Sequence, residues 1–280
     1  MRIDTLALVG VGLIGGSVGL AARRRGMAGR IVGVDGRPEV LQRALARGAV
    51  DEARPDLCAA AAEADVVVFC TPVDAIAGQV LTAAAVCRPG ALLTDAGSTK
   101  AAVVRDVEAR LPAGVDFVGG HPLAGSEKQG PEHADARMFE GRLVLLTRTP
   151  RTNDKALSRT AGFWEALGAR IRVMDPEEHD RALAVTSHLP HLTASALAGV
   201  TPSEWLGLTA GGFRDATRVA AGGPELWAGI FLSNADAVLS AVGRLEGRLA
   251  EFRRALASGD REALTTILRE GKAVRDGLAP

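Results

Sequence analysis

The 280-residue chain is predicted to be an α/β protein, with a doubly wound N-terminal domain over residues 1–173 followed by an all-helical domain over residues 174–280. Three observations predict it. Short Val-, Leu- and Ala-rich runs alternate with helix-length amphipathic segments as far as Met174, the pattern of βα units around a parallel sheet. A glycine-rich turn, Gly10-Val11-Gly12-Leu13-Ile14-Gly15-Gly16, follows the first of those runs. After Met174 the strand pattern stops and the sequence reads as helix after helix.

The elements follow in order. Thr5–Val9 is a short buried strand, and Leu13–Arg25 a helix that ends near Gly26. Arg30–Val34 is a strand and Pro38–Arg47 a helix, stopped by Gly48. Asp65–Cys70 is dense in Val and Phe, which marks a strand buried on both faces. Ile76–Ala85 is a helix, Ala91–Asp95 a strand and Lys100–Leu111 a charged amphipathic helix. Asp116–Gly119 is a strand that ends just before His121. Leu143–Thr147 and Arg170–Val173 are further strands around the helix that holds Phe163 and Trp164. Asp175-Pro176-Glu177-Glu178 then supplies a capping side chain, a Pro at the first helical position and a Glu three residues after the cap, a strong helix start. Long Ala/Leu helices from Glu225 onward, including Leu232–Ala257, need partners for their apolar faces, and a second subunit would provide them.

Composition narrows the function. Lys plus Arg equals Asp plus Glu at 33 each, so no global positive field invites nucleic acid, and aromatics are scarce, which disfavours base stacking. Cys58, Cys70 and Cys87 sit in no CxxC spacing, so neither a disulfide scaffold nor a thiolate metal site is expected, and a cytoplasmic location fits. No leader precedes the first strand and no apolar run reaches the roughly 18 residues of a membrane span.

The glycine turn is a dinucleotide fingerprint in its required strand–turn–helix setting. Gly10 permits the tight turn, Gly12 removes the Cβ that would block a pyrophosphate, and Gly15 lets helix and strand pack closely. The helix amino terminus, opening at Leu13 and Ile14, offers N–H groups to the phosphates. Asp35, at the end of the next strand and 25 residues after Gly10, would accept hydrogen bonds from the ribose hydroxyls and repel a 2′-phosphate. NAD is therefore expected over NADP, although Arg37 could shield such a phosphate. Thr71 and Pro72, at the carboxyl end of the Asp65–Cys70 strand, line the same crevice.

Of five histidines, His121 follows a strand in Gly119-Gly120-His121-Pro122, where it could take a hydroxyl proton as hydride leaves. Ser98, in Asp95-Ala96-Gly97-Ser98-Thr99-Lys100, could orient a substrate alcohol, steady His121 or cap the following helix. Lys100 could supply local positive charge or solvate the helix start. His188 and His191 share a helix face if Pro190 leaves the helix continuous, but no third ligand makes a zinc site, and no metal is expected. Arg214 and Arg218 follow the Gly211-Gly212 break and are apt for clamping a carboxylate. The residues thus point to an NAD-dependent dehydrogenase of a small anionic alcohol.

Four segments in order resemble the prephenate/arogenate dehydrogenase family, the oxidative enzymes of tyrosine biosynthesis. They are Asp95–Lys100, Gly119–Glu127, Ser187–His191 and Gly211–Arg218, and the resemblance covers nearly the whole chain. It implies a Rossmann-type domain followed by a helical dimerisation domain, a homodimer, and oxidative decarboxylation of prephenate to 4-hydroxyphenylpyruvate, with arogenate or both substrates as alternatives. By the family pattern His121 is the catalytic histidine with Ser98 beside it. His191 lies in the substrate pocket, Arg218 binds a substrate carboxylate, Glu127 sits near the pocket entrance and His188 supports the same segment. A β-hydroxyacid dehydrogenase fits poorly, since such enzymes use a lysine in the helical domain and only Lys272 lies beyond Met174. A non-enzymatic NAD-binding protein would leave the histidines on both sides of the cleft unexplained.

Overall fold

The computed structural model describes residues 3–126 and 128–278. In chain order its first elements are β1 (Ile3–Val9), α1 (Leu13–Arg24), β2 (Ala28–Val34), α2 (Pro38–Ala46), β3 (Glu52–Arg54), α3 (Leu57–Glu63), β4 (Val66–Phe69), α4 (Val73–Ala84), β5 (Leu92–Asp95), α5 (Ala101–Glu108) and β6 (Asp116–Val118). Among the described residues six strands form a parallel sheet in the order β3-β2-β1-β4-β5-β6. The strand order reverses between β1 and β4, and open α/β sheets hold their ligands beyond the carboxyl ends of the strands at such a point.

Both faces of the sheet are covered, which is why its central strands are almost continuously apolar. Successive side chains alternate between two cores. Leu6, Leu8, Val66 and Val68 pack with Val18, Phe139 and Trp164 on one face. Ala7, Val9, Val67 and Phe69 pack with Ile76, Val80 and Val103 on the other. Each such Val, Leu or Phe contributes roughly 1.5–3 kcal/mol by its removal from water.

A second sheet follows, formed by β7 (Gly120–Pro122), β8 (Leu143–Thr147) and β9 (Arg170–Met174), with α6 (Asp154–Ala166) between the last two. β7 runs antiparallel to β8 and sets His121 opposite Leu145. The strand expected over Asp116–Gly119 is β6, and His121, expected in the loop after it, lies instead on β7, with Gly119 between the large sheet and the small one. An added Cβ at Gly119 would lie 2.6 Å from Thr147 Oγ1, so only glycine fits this crossover.

Beyond Met174 every described element is helical. α7 (Pro176–Leu183) starts as the sequence predicts, with the Asp175 side chain accepting from the N–H groups of Glu177 and Glu178. A π turn over Ala184–His188 leads directly into α8 (Leu189–Gly199), which carries Pro190 in its first turn. In that turn the N–H of Leu189 reaches Ala184 O, so the ladder widens just ahead of the proline that cannot donate to it. The helix continues through, and His188 and His191 are both buried. α9 (Gly211–Thr217), a 3-10 turn at Arg218–Ala221 and α10 (Pro224–Ser233) complete the first compact unit, which ends at Asn234.

The second unit, from Ala235 onward, contains α11 (Ala235–Ser258) and α12 (Arg261–Asp276), the latter capped by Asp260. Leu249, Leu256, Leu268 and Val274 stay more than half exposed on this pair. No single helix among the described residues is long and apolar enough to cross a membrane.

Several elements differ from the sequence expectation. β3 and α3 have no counterpart in it: β3 is a three-residue edge strand, and α3 is a short Ala-rich helix set up by the Asp56 cap on Ala59 N–H. The helix expected over Leu232–Ala257 breaks at Asn234, which leaves helical geometry at φ −125°, ψ 33°. Its amide is used instead for tertiary hydrogen bonds described below.

Candidate active site

The glycine turn lies at the carboxyl end of β1 and is built as the sequence predicts. Gly10 has φ +85°, and an added Cβ there would lie 2.8 Å from the carbonyl of Cys70. A Cβ on Gly15 would meet Gly10 O at 2.0 Å, which no relaxation of a side chain can relieve. Gly12 differs: a Cβ there would meet no protein atom within 4 Å. Gly12, Leu13 and Ile14 open α1, and no side chain caps that amino terminus. Space beside Gly12 and uncapped N–H groups are what a pyrophosphate requires.

Asp35 follows β2 with its side chain only 8% exposed, and Arg37 grips it, Nε donating to Oδ1 at 3.1 Å and the backbone N–H to the same oxygen at 3.0 Å. Thr71 borders the turn, its Cγ2 2.9 Å from the position of a Gly10 Cβ, and its hydroxyl bonds Gln79 Oε1 at 2.6 Å. Pro72 caps α4 and is exposed. The residues present fit NAD. From this follows a paired expectation: Gly12→Ala folds normally but weakens NAD binding by at least about tenfold, whereas Gly15→Ala lowers stability by several kcal/mol (about 2–5), as overpacking against backbone does. Titration calorimetry and thermal melts of the two variants separate these effects.

At the end of β5 the chain places a buried ion pair. Lys100 Nζ donates to Asp95 Oδ2, and both side chains are fully buried. Lys100 therefore does not solvate a helix start. Asp95 also accepts from Gly97 N–H at 2.8 Å and from Gly120 N–H at 3.0 Å, so one carboxylate ties the Ser98 loop to the strand of His121. Ser98 itself is half-buried and makes no hydrogen bond to another described residue. It does not cap α5 either. That cap comes from Asp180 on α7, whose two oxygens accept from Lys100 N–H at 2.7 Å and Ala101 N–H at 2.9 Å.

His121 is 9% exposed, and its Nδ1 lies 2.9 Å from His179 Nε2. His179 Nδ1 lies 2.7 Å from Asp180 Oδ1. Burial above all, then the nearby His179, Lys100 and His188, holds the His121 pKa well below 6.5. Burial likewise lowers His179, against the opposing effect of its hydrogen bond to the Asp180 carboxylate, and pushes His188 down to about 4. Asn234 closes the group, its amide donating to Asp180 O at 2.8 Å and lying 3.2 Å from His188 Nδ1.

His191 stacks on Trp227 with ring centroids 3.6 Å apart and planes 17° apart, and Trp227 also meets the edge of His188. Among the described residues, His191 Nδ1 is buried without a hydrogen-bond partner. Gly222 lets the chain close over this pair, since a Cβ there would lie 2.6 Å from Trp227 Nε1. The 3-10 turn that begins at Arg218 packs against α8, so Arg218, which is exposed, stands on the element beside His191. Glu127 lies outside the described residues. The structure thus gathers His121, His188 and His191 around α7, α8 and α10. His179, Asp180, Trp227 and Asn234 join them unannounced by any local motif. Asn234 had one signal: it is a polar interruption at the end of the apolar run of α10.

Comparison with known proteins gives a consistent result. Residues 18–173 match the prephenate dehydrogenase nucleotide-binding domain family, and residues 175–270 match the prephenate dehydrogenase dimerization domain family. A cyclohexadienyl dehydrogenase of Zymomonas mobilis is 35% identical over 98% of this chain and 95% of its own length. A prephenate dehydrogenase of Bacillus subtilis is 36% identical over 98% of this chain and 76% of its own. The crystal structure of Aquifex aeolicus prephenate dehydrogenase, solved with hydroxyphenyl propionate and NAD+, superposes with a TM-score of 0.90 at 34% identity, covering 98% of each chain. With both halves matched and relatives this similar along their lengths, the chain belongs to the prephenate dehydrogenase family.

Proposed function

We propose that the protein oxidises prephenate with NAD and releases carbon dioxide, forming 4-hydroxyphenylpyruvate in tyrosine biosynthesis. The observation that carries this reading is a buried His121, its pKa held well below 6.5, on the strand that Asp95 ties to the end of β5 through the Gly120 N–H, in a chain whose glycine turn and Asp35 suit NAD. NAD, when bound, supplies the acceptor for the hydride that leaves the substrate's C4.

The chain's own residues handle the proton and the charge. His121 takes the C4 hydroxyl proton as the hydride departs, with the Ser98 hydroxyl orienting the alcohol. Loss of the ring carboxylate then sends its electron pair into the ring, and the C4 oxygen must regain a proton to become the phenol. His121 returns that proton, so the reaction releases no net proton. A base held below its usual pKa suits this task, because it gives back what it takes. Arg218 and His191 hold the anionic end of the substrate, with Glu127 at the entrance and His188 supporting the segment. Positioning of this kind can supply much of the barrier reduction.

Gly10, Gly12, Leu13, Ile14 and Gly15 hold the pyrophosphate, with Thr71 and Pro72 along the crevice. Asp35 accepts from the adenosine ribose, which favours NAD over NADP, and Arg37 is engaged by Asp35 rather than turned to a phosphate. Residues 1–173 serve as the cofactor domain and residues 174–280 as the substrate and dimerisation domain, with a homodimer formed through the helical part. Arogenate, or both substrates, is the second reading, favoured by the likeness to a cyclohexadienyl dehydrogenase. Parallel assays with prephenate and arogenate, each with NAD and NADP, decide: turnover confined to arogenate reassigns the substrate, and equal rates with NADP remove the role given to Asp35.

A further inference from the structure

We propose that His179 and Asp180 are positioning residues that fix which nitrogen of His121 carries hydrogen, leaving Nε2 bare for the substrate hydroxyl. The inference rests on the reading of His121 as proton acceptor, and the donor and acceptor arithmetic carries it. The oxygens of Asp180 receive the backbone N–H groups of Lys100 at 2.7 Å and Ala101 at 2.9 Å, and a backbone amide can only donate. Asp180 is therefore an acceptor toward its neighbours, and the hydrogen in its 2.7 Å contact with His179 sits on His179 Nδ1. A neutral imidazole has a single N–H, so His179 Nε2 is bare. Its 2.9 Å partner, His121 Nδ1, must then be the donor. His121 Nε2 is left as the lone pair, and it makes no hydrogen bond to another described residue. The hydrogen bond at one ring nitrogen thus selects the other for chemistry.

The charges that face this chain agree with neutral rings. Lys100 Nζ is buried nearby and paired with Asp95, and His188 lies on the following π turn beside Asn234. Burial and the Lys100 charge both disfavour protonated His121 and His179, while Asp180 and Asp95 oppose the effect at His179 without reversing it. Asp180 has a second consequence. It caps α5 through Lys100 and Ala101, so one carboxylate sets both the His179 ring and the end of the loop that carries Ser98.

The test is a nitrogen-15 spectrum of histidine-labelled protein, in which only five histidines need resolving and the His121 signals are assigned by their loss in His121→Asn. The expected result is hydrogen on His121 Nδ1 and a bare Nε2 in the unsubstituted protein. His179→Leu should shift His121 toward the Nε2–H form and lower kcat about 10–100-fold, while KM for prephenate and Kd for NAD stay within about twofold. His179→Gln offers an amide oxygen in place of Nε2, so it should restore the Nδ1–H form and bring kcat back within about fivefold of the parent. Hydrogen on Nε2 in the unsubstituted protein, or an unchanged kcat in folded His179→Leu, overturns the proposal. Full turnover by His121→Asn would remove the proton-acceptor reading and leave the measured tautomer standing, so the two failures are distinguishable.

Discussion

Replacing His121 by Asn is expected to lower kcat by about 10²–10⁴-fold, the range lost when a positioned general base is removed. An asparagine amide can still donate to His179 Nε2, which keeps the strand and its neighbours in place, so NAD affinity and the melting temperature should hardly move. The pH profile gives a second readout with a definite sign. His121 must be unprotonated to act, and burial, with His179, Lys100 and His188 around it, depresses its pKa well below 6.5. Activity is therefore present at and above neutrality and is lost only as pH falls through that depressed value. The acid limb of kcat/KM in the parent should lie below 6.5 and be absent from the residual activity of the variant. A limb centred at or above 6.5, or a variant as fast as the parent, contradicts the assignment.

Lys100→Met is expected to cost about 3–5 kcal/mol of stability, because it strands the Asp95 carboxylate without its cation in a fully buried site. The two backbone N–H groups from Gly97 and Gly120 remain, but they cannot replace an ammonium. The damage should also spread to catalysis, since Asp95 fixes the backbone of the residue before His121. Removing both charges tests the cause: Asp95→Asn combined with Lys100→Met should recover part of the loss, as the uncompensated charge is gone. Denaturant melts at one fixed protein concentration measure the single and double variants on a common scale. A single variant as stable as the parent would mean that the pair is not a structural anchor.

Much of the fold and part of the site are legible in the amino-acid sequence, and the reason differs by element. The sheet is readable because Val66–Phe69 and Thr5–Val9 are buried on both faces and so are written in apolar residues. The cofactor turn is readable because Gly10 and Gly15 answer steric demands of the fold that other residues meet poorly, and Gly12 leaves the space a pyrophosphate needs. The helix start at Asp175 is readable because a cap is an arrangement between neighbouring residues. What stays hidden depends on distance along the chain. Ser98 sits where a cap is expected, yet the carboxylate that caps α5 comes from Asp180, 79–80 residues away. His179 draws no attention because its partner is 58 residues upstream and nothing around it forms a motif. Lys100 reads either as a local positive charge or as a solvated helix start, since local sequence does not reveal that Asp95 pairs with it in a buried site. The π turn is also invisible, although Pro190 signals that the helix has to adjust its ladder somewhere.

The family resemblance gathers His121, His188, His191 and Arg218 into one site, and the fold puts the three histidines around the same helices. Local spacing could not have done so. Some 67–70 residues separate His121 from the other two, and the return of α7 to the small sheet, with the π turn and α8 following it, closes that gap.

The central claim is tested most directly by following NADH and carbon dioxide together in one reaction of purified protein with prephenate and NAD. The account predicts one NADH and one carbon dioxide for each 4-hydroxyphenylpyruvate formed, at the same rate. Protein that folds and binds NAD yet forms neither product from prephenate would contradict it, and NADH without matching carbon dioxide would contradict the decarboxylation.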